Sequence, residues 1–225
     1  MPTLKVDVAV IGAGTAGLVA YRSARAQGAR AVLIEGGPYG TTCARVGCMP
    51  SKLLIAAAEA AHMIDAAPEF GVHAGEGREK ARIDGVAVMA RVRRERDRFV
   101  GFVLEGVDNI PDEDKLRGYA RFTGPHTLMV DDHTEVEAAR IVIATGSTPT
   151  RLPKLDNIGP GVITSDDVFY WQDLPRSVAV IGTGVIGLEL GQALTRLGVR
   201  VRAWPSSSPI TPVPITATER GRSCQ

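Results

Sequence analysis

The chain has 225 residues, 44% of them apolar, and its 26 basic and 25 acidic residues leave a formal charge of +1 at pH 7. This length and composition suit one large or two small globular domains, and the balanced charge argues against nucleic acid or an anionic membrane as a partner. Apolar runs end well before the roughly 20 residues of a membrane span, and the start MPTLKVDVAV lacks the pattern of a secretory signal. We therefore expect a cytoplasmic protein, in which ordinary thiols stay reduced.

The first predicted elements are a strand, a glycine turn, a helix and a second strand. KVDVAVI is typical of a buried strand, GAGTAG follows it, and ARAVLIE ends the unit at Glu35. Gly12 and Gly14 would let the backbone approach a pyrophosphate, and Gly17 would allow close packing of helix on strand. A glycine turn used only for packing is the alternative. The four features together predict a dinucleotide site in which Glu35 accepts hydrogen bonds from ribose hydroxyls.

Helical periodicity predicts helices over residues 50–66 and 86–107. The second contains RVRRERDR, which we interpret as a solvated face because acids interrupt the bases. Short apolar runs between residues 118 and 136 alternate with turn residues and predict an antiparallel meander. RIVIATGSTPT then predicts a buried strand that runs into a glycine turn, and Pro149 and Pro153 mark the exit to a second unit.

An internal repeat appears at an offset of 170 residues. SVAVIGTGVIGLELGQALTRLGVRV aligns with DVAVIGAGTAGLVAYRSARAQGARA, so that Gly182, Gly184 and Gly187 match the first glycine triplet. Two dinucleotide sites in one chain indicate an enzyme that passes electrons between two nucleotide cofactors. The same offset puts Pro205 where Glu35 stands, so the second site lacks an acidic residue for the ribose.

The segment TTCARVGCMPSK holds Cys43 and Cys48, five residues apart. In an undistorted helix their Cα atoms would be about 9 Å apart, beyond the roughly 7 Å that a disulfide tolerates. A bonded pair therefore needs an irregular segment, which Gly47 and Pro50 make easy. Pro50 suits the first turn of the following helix, so Cys48 is expected near a helix N-terminus, an environment that favours a thiolate.

Three interpretations of the cysteines are open. A structural disulfide would close a very small loop in a reducing compartment and stabilise little. A zinc site needs three or four ligands, and the nearest histidine, His62, has no second ligand pair beside it. A redox-active pair fits the segment best, and no metal site is predicted.

The motif GTTCARVGCMPSK, the ATGS segment and the two glycine repeats together resemble the class I pyridine nucleotide-disulfide oxidoreductases over residues 4 to about 201. The resemblance implies an α/β fold. A Rossmann-type FAD-binding domain with a small antiparallel meander would precede an incomplete second Rossmann-type unit that binds NAD(P).

The resemblance also implies roles for individual residues. Cys48 would contact the flavin, and Cys43 would exchange with the substrate's sulfur. Lys52 would lie near the flavin, paired with the acid Glu189. The residues implied to bind the cofactors FAD and NAD(P) are Gly12, Gly14, Gly17, Glu35, Thr42, Lys52, Thr145, Gly146, Gly182, Gly184 and Gly187.

The implied substrate is a dithiol or disulfide. PSK after the second cysteine is more similar to the lipoamide and mercuric types of the family than to the glutathione type. The vicinal cysteine pair typical of the mercuric type is absent from this sequence, which favours dihydrolipoamide, free or on a lipoyl-bearing protein. The resemblance also implies a homodimer, formed through a dimerisation domain that we do not expect within these residues. The motif also departs from the family, which has glycine in place of Thr41 and asparagine in place of Arg45.

We predict an FAD-binding domain over residues 1–150 and a partial NAD(P)-binding domain over 151–201. Residues 202–225 are rich in Pro, Ser and Thr without a helical or strand period, and we expect a disordered or non-native tail. Two hypotheses follow for the chain: a flavin-dependent disulfide oxidoreductase, or a truncated or frameshifted remnant without catalytic activity.

Overall fold

Parallel strands and helices alternate along the chain. The computed structural model describes residues 2–73, 82–151, 153–155, 158–205 and 213–214. Its helices are α1 (Thr15–Ala26), α2 (Thr42–Val46), α3 (Cys48–Ala66), α4 (Gly85–Asp108) and α5 (Val185–Arg196). Its strands are β1 (Thr3–Ile11), β2 (Ala31–Glu35), β3 (Lys115–Arg117), β4 (Ala120–Gly124), β5 (Thr127–Val130), β6 (Thr134–Ile143), β7 (Ser177–Ile181), β8 (Arg200–Trp204) and β9 (Val213–Pro214).

The larger sheet has the strand order β3-β2-β1-β6-β5-β4. Its first four strands are parallel neighbours, and β6, β5 and β4 form an antiparallel meander. The predicted fold class is confirmed, and so is the meander. Because the carboxyl ends of β1, β2 and β6 lie at one edge of the sheet, the turns that follow these strands meet there.

Alternation along β1 and β2 gives the sheet two apolar faces. Ala9 and Ile11 pack with Val32 and Ile34 against residues of the meander, including Val136. The opposite face packs against α1, α4 and the segment that follows α4. Its buried residues include Val10, Leu33, Leu18, Tyr21, Val107 and Ile110. Because successive side chains of a strand point to opposite faces, one buried strand serves both cores.

The smaller sheet has the order β7-β8-β9 and carries α5 between its parallel strands β7 and β8. Leu190 and Leu194 of α5 are buried, as are Val201 and Ala203 of β8. β9 pairs antiparallel with β8. The second predicted βαβ unit is therefore present.

The chain divides into two compact units, one of Met1–Gly47 with Asp97–Thr148 and the other of Cys48–Arg96 with Pro149–Gln225. The second break lies close to the domain boundary predicted at residue 150. Residues 48–96, which were predicted within the first domain, instead group with the second unit. Their helix α3 packs against α5, which explains the difference.

The predicted limit of the second unit at residue 201 needs a correction. Strand β8 continues to Trp204, because Arg202, Ala203 and Trp204 pair in parallel with the end of β7. Burial alternates as a strand requires, with Ala203 buried and Arg202 exposed. The rest of the predicted tail, 206–212 and 215–225, lies outside the described residues.

Candidate active site

The first glycine turn joins β1 to α1. Gly12 has a φ of +102°, and a Cβ added there would lie 2.2 Å from the carbonyl oxygen of Ala144. A Cβ at Gly17 would lie 1.8 Å from the carbonyl oxygen of Gly12. Neither position can hold a larger residue without moving the backbone. Gly14 differs, because a Cβ there would have no neighbour within 4 Å. Open space therefore lies above Gly14 at the start of α1.

Glu35 ends β2 beside this turn. Its Oε2 accepts a hydrogen bond from the Ala13 amide at 2.7 Å, and its Oε1 accepts one from the Gly37 amide at 2.7 Å. The two bonds hold the carboxylate at the edge of the sheet. Each carboxylate oxygen has a second lone pair, so the group retains capacity to accept from a ligand hydroxyl.

Thr145 and Gly146 reach the same edge at the end of β6. The amide of Ala144 donates to the carbonyl oxygen of Ile11 at 2.8 Å, which extends the pairing of β1 and β6 up to the glycine turn. Gly146 has a φ of +70°. The structure thus brings together Gly12, Gly17, Glu35 and the Thr145–Gly146 turn, as expected of a dinucleotide site.

The second glycine turn repeats the first. Gly182 has a φ of +112°, and its amide donates to the carbonyl oxygen of Trp204 at 2.8 Å, as the Gly12 amide donates to that of Ile34 at 2.8 Å. A Cβ at Gly187 would lie 2.0 Å from the Gly182 carbonyl oxygen, whereas one at Gly184 would meet nothing within 4 Å. The open position and the crowded position therefore recur at the 170-residue offset.

The strand register repeats as well. Val178 pairs with Val201 and Ile181 with Trp204, as Val8 pairs with Ala31 and Ile11 with Ile34. This shared register confirms that Pro205 follows β8 at the position that Glu35 occupies at the end of β2. The second turn therefore has its glycines but no carboxylate at that position.

The cysteine segment contains a helix that the sequence analysis did not predict. Cys43 lies in α2 and is half-buried, and Cys48 is the exposed first residue of α3. Gly47 separates the helices, and a Cβ there would lie 3.1 Å from the Cα of Cys43. Cys48 does begin a helix, as predicted, and Pro50 lies in its first turn. The redox pairing of the two cysteines stays a prediction.

The two departures from the family motif have local structural partners. Thr41 has a φ of +57°, and its hydroxyl oxygen accepts from the Ala44 amide at 3.1 Å, so it caps α2. The Nε of Arg45 donates to the carbonyl oxygen of Tyr39 at 2.7 Å, and its Nη2 donates to the same oxygen. Thr42 is the first residue of α2. The side chain of Arg45 thereby ties α2 to the segment before it.

Lys52 lies one turn after Cys48 in α3, and its Nζ is 2.7 Å from Oε2 of Glu189 in α5. Both side chains are partly exposed. The structure therefore brings together the two residues that were expected to pair, although their part in catalysis stays a prediction.

Two residues that the sequence analysis did not single out border the loop after Glu35. The ring of Tyr119 would lie 2.6 Å from a Cβ at Gly36, and Nη1 of Arg117 donates to the Gly37 carbonyl oxygen at 2.7 Å. The sequence gives little indication of these contacts, because β3 has only three residues and pairs with β2 across a long sequence separation.

Two features are absent from the described residues. These residues contain no group of three or more His, Cys, Asp or Glu side chains arranged to hold a metal ion. None of the helices among them combines the length and apolar character needed to cross a membrane.

Comparison with known proteins gives concordant matches. The family model described as pyridine nucleotide-disulphide oxidoreductase matches residues 6–209. A dihydrolipoyl dehydrogenase of Bacillus subtilis is 32% identical over 211 residues, covering 87% of this chain and 43% of that protein. A mercuric reductase of Shigella flexneri is 37% identical over 201 residues, covering 87% of this chain and 35% of that protein.

A solved structure shares the fold. The HOCl-induced flavoprotein disulfide reductase RclA from Escherichia coli matches with a TM-score of 0.71 and 25% identity, covering 88% of this chain and 41% of that one. The chain thus spans less than half the length of these relatives.

Proposed function

Because the chain belongs to the pyridine nucleotide-disulphide oxidoreductase family, we propose that it takes part in electron transfer between a dithiol substrate, a Cys43–Cys48 disulfide, FAD and NAD(P). The observation that carries the proposal is the repeated βαβ geometry, with the same register and the same open glycine in both units. Two such turns suit an enzyme that uses two nucleotides.

The first glycine turn fits FAD. The space above Gly14 leaves room for a pyrophosphate at the N-terminus of α1, where backbone N–H groups and the helix dipole favour anions. Glu35 would accept from ribose hydroxyls, and Thr42, Thr145 and Gly146 would line the cofactor. Bound FAD would supply a two-electron carrier between the cysteines and the nicotinamide.

The cysteines would react by thiol–disulfide exchange. One thiolate of the substrate attacks Sγ of Cys43, the Cys43–Cys48 bond breaks, and Cys48 leaves as a thiolate. The second substrate thiolate then attacks the substrate sulfur of the mixed disulfide and releases Cys43. The substrate dithiol loses two electrons and two protons and becomes a disulfide, while the protein disulfide is reduced to two thiols.

The position of Cys48 suits its proposed role. It is the first residue of α3 and therefore lies at the helix end that carries a partial positive charge. Lys52 lies four residues later, on the same side of the helix. Its ammonium adds positive charge, and Glu189 holds that side chain in place. We assign Cys43, Cys48, Lys52 and Glu189 to the redox centre on this basis.

We propose a substrate of the dihydrolipoamide class, free or attached to a lipoyl-bearing protein, in a reducing compartment such as the cytoplasm. The support is the PSK sequence after Cys48 and the name of the Bacillus subtilis relative. A mercuric-type or glutathione-type reductase is the second candidate, favoured by the similarity to the mercuric reductase of Shigella flexneri.

Pro205 supports a different second candidate, in which the chain binds FAD but uses NAD poorly. A carboxylate at this position would accept from the ribose of NAD, and proline offers none. Binding of NADH and NADPH to the FAD-loaded chain, followed by fluorescence, separates the candidates. Tight binding of NADH would contradict this one.

The redox roles are tested on the chain loaded with FAD. Cys43→Ser is expected to keep a long-wavelength absorption band from a Cys48 thiolate beside the flavin, and Cys48→Ser is expected to lose it. Without oxygen, the unmodified chain should oxidise one equivalent of dithiothreitol per chain as its Cys43–Cys48 disulfide is reduced. A band that persists in Cys48→Ser would reverse the two roles, and a chain that takes up no FAD would contradict the proposed function.

A further inference from the structure

Two ion pairs join α3 to α5. Nζ of Lys52 lies 2.7 Å from Oε2 of Glu189, and Nη1 of Arg196 donates to Oε1 of Glu59. The partners in α3 are seven residues apart, and so are the partners in α5. Seven residues make about two helical turns, so both pairs lie along one face of each helix. The equal spacing in the same direction means that the two helices run parallel.

The order of the charges selects this arrangement. In α3 the base Lys52 precedes the acid Glu59, whereas in α5 the acid Glu189 precedes the base Arg196. Antiparallel helices would place both acids together and both bases together. A slip of seven residues that moved Glu189 along α3 would place it against Glu59, which repels it. The parallel register that is observed makes both contacts attractive.

Arg196 is the least exposed member of the two pairs. Its side chain is 12% exposed, whereas its partner Glu59 is 49% exposed and Lys52 is 59% exposed. The Nε of Arg196 is buried and has no hydrogen-bond partner among the described residues. Removal of Glu59 would leave the largely buried guanidinium of Arg196 without its carboxylate partner. We therefore expect this pair to constrain the contact between α3 and α5 more than Lys52–Glu189 does.

We propose that Glu59 and Arg196 are positioning residues, whose ion pair sets the register of α5 on α3 and thereby holds Glu189 against Lys52. The inference deepens the proposed function, because Lys52 follows Cys48 by one helical turn. Neither Glu59 nor Arg196 is assigned to cofactor or substrate.

The test measures the Lys52–Glu189 contact by trace acetylation with acetic anhydride and quantification of each lysine by mass spectrometry. An ammonium held by a carboxylate reacts more slowly than one without a partner. Glu189→Gln is the reference and should raise the labelling of Lys52 by about threefold, as expected for a partly exposed pair. Glu59→Arg and Arg196→Glu should each reproduce at least half of that rise.

The double variant Glu59→Arg/Arg196→Glu and the conservative Arg196→Lys should both return the labelling of Lys52 to that of the unmodified chain. A role confined to general stability would not do this at one lysine alone. Lys5, which forms an ion pair with Glu137 at 2.8 Å, serves as the internal control and should not change. If a charge reversal prevents folding, Glu59→Gln replaces it, with the same expected direction.

Unchanged labelling of Lys52 in the folded single variants, or a double variant that fails to restore it, would overturn the inference. The readout needs neither flavin nor turnover. A chain that shows the expected labelling but binds no FAD would therefore contradict the proposed function and leave the positioning role supported.

Discussion

Thr41 has a backbone conformation that residues with a Cβ rarely adopt. Its φ of +57° and ψ of 144° lie in a region used mainly by glycine, and strain of this kind costs about 1–3 kcal/mol. Its hydroxyl oxygen offsets part of this cost by accepting from the Ala44 amide, a cap worth about 1 kcal/mol. The glycine that the family has here fits the conformation without strain.

We therefore predict that Thr41→Gly is more stable than Thr41→Ala by about 1–3 kcal/mol, because alanine loses the cap and keeps the strain. Urea unfolding of both variants and the unmodified chain measures the difference. Thr42→Ala and Thr42→Gly, one residue later in α2, are the matched control. Alanine should be the more stable residue there, and the same order at both positions would contradict the interpretation.

Tyr21 donates a hydrogen bond of 2.6 Å to Oδ2 of Asp114. Burial, and then this bond, raises the pKa of Tyr21 from 10.0 to about 12. Because the folded state keeps the proton to a higher pH than the unfolded chain, the contribution to stability is complete below pH 10. It is lost as the pH rises from 10 toward 12.

Tyr21→Phe should accordingly destabilise the chain by about 1–2 kcal/mol near neutral pH, and the difference from the unmodified chain should shrink above pH 10. Urea unfolding at neutral pH and at about pH 11 gives the two differences. Tyr119→Phe, which changes an exposed residue, controls for the loss of a phenol. A difference for Tyr21→Phe that stays constant with pH would argue against the raised pKa.

At the scale of elements, the strongly patterned segments were predicted well. The helices expected over 50–66 and 86–107 are α3 and α4, with ends that differ by one or two residues. The βαβ repeat could be predicted from the sequence because the same local steric constraints require glycine in both units, at a fixed offset. Residues 202–204 were expected in the tail because they carry no strong pattern of their own. Pairing of β8 with β7 on one side and with β9 on the other decides their conformation.

The short elements and the Glu59–Arg196 pair could not be predicted because contacts between distant parts of the chain determine them. β3 and α2 have three and five residues, too few for periodicity to show, and tertiary contacts decide their conformation. Lys52–Glu189 was expected only from the family. The Glu59–Arg196 pair could not be predicted, because 137 residues separate its members and only the packing of α3 on α5 brings them together.

The glycine turn of the first βαβ unit gives a prediction at this scale. Gly14→Ala should fold with a loss of at most about 1 kcal/mol and bind FAD weakly, because its methyl group enters the open space proposed for the pyrophosphate. Gly17→Ala should lose about 3 kcal/mol or fail to fold, since its Cβ would overlap the Gly12 carbonyl oxygen.

Thermal unfolding without FAD and flavin absorbance after FAD loading and gel filtration distinguish the two effects. Gly184→Ala, the equivalent open position of the second turn, is the matched control and should leave FAD binding unchanged. Normal FAD binding by a folded Gly14→Ala would remove the first turn from the proposed cofactor site.

For the whole molecule, the formal charge of +1 gives little electrostatic repulsion between copies at neutral pH. Large apolar side chains are exposed on the surface of the chain, and the first turn of α5 is a concentrated example. Val185 is 73% exposed and Ile186 is 62% exposed. The equivalent residues at the start of α1 are Thr15 and Ala16, which are also exposed. The first turns of α1 and α5 therefore have the same local geometry but surfaces of different polarity.

We predict that Val185→Thr/Ile186→Ala, which gives α5 the first-turn residues of α1, reduces self-association of the chain without changing its fold. The reduction in self-association should be greatest near neutral pH, because the small net charge leaves apolar contact as the dominant force between copies. It should be smaller at low pH, because protonation of the carboxylates makes the chain strongly positive. Light scattering and sedimentation velocity across this pH range measure it. Val19→Thr on α1, where the valine is 58% exposed, controls for removal of apolar area elsewhere and should have a smaller effect. Equal scattering by the double variant and the unmodified chain at neutral pH would show that the start of α5 does not drive association, whereas a gain with unchanged circular dichroism would locate the association at this turn.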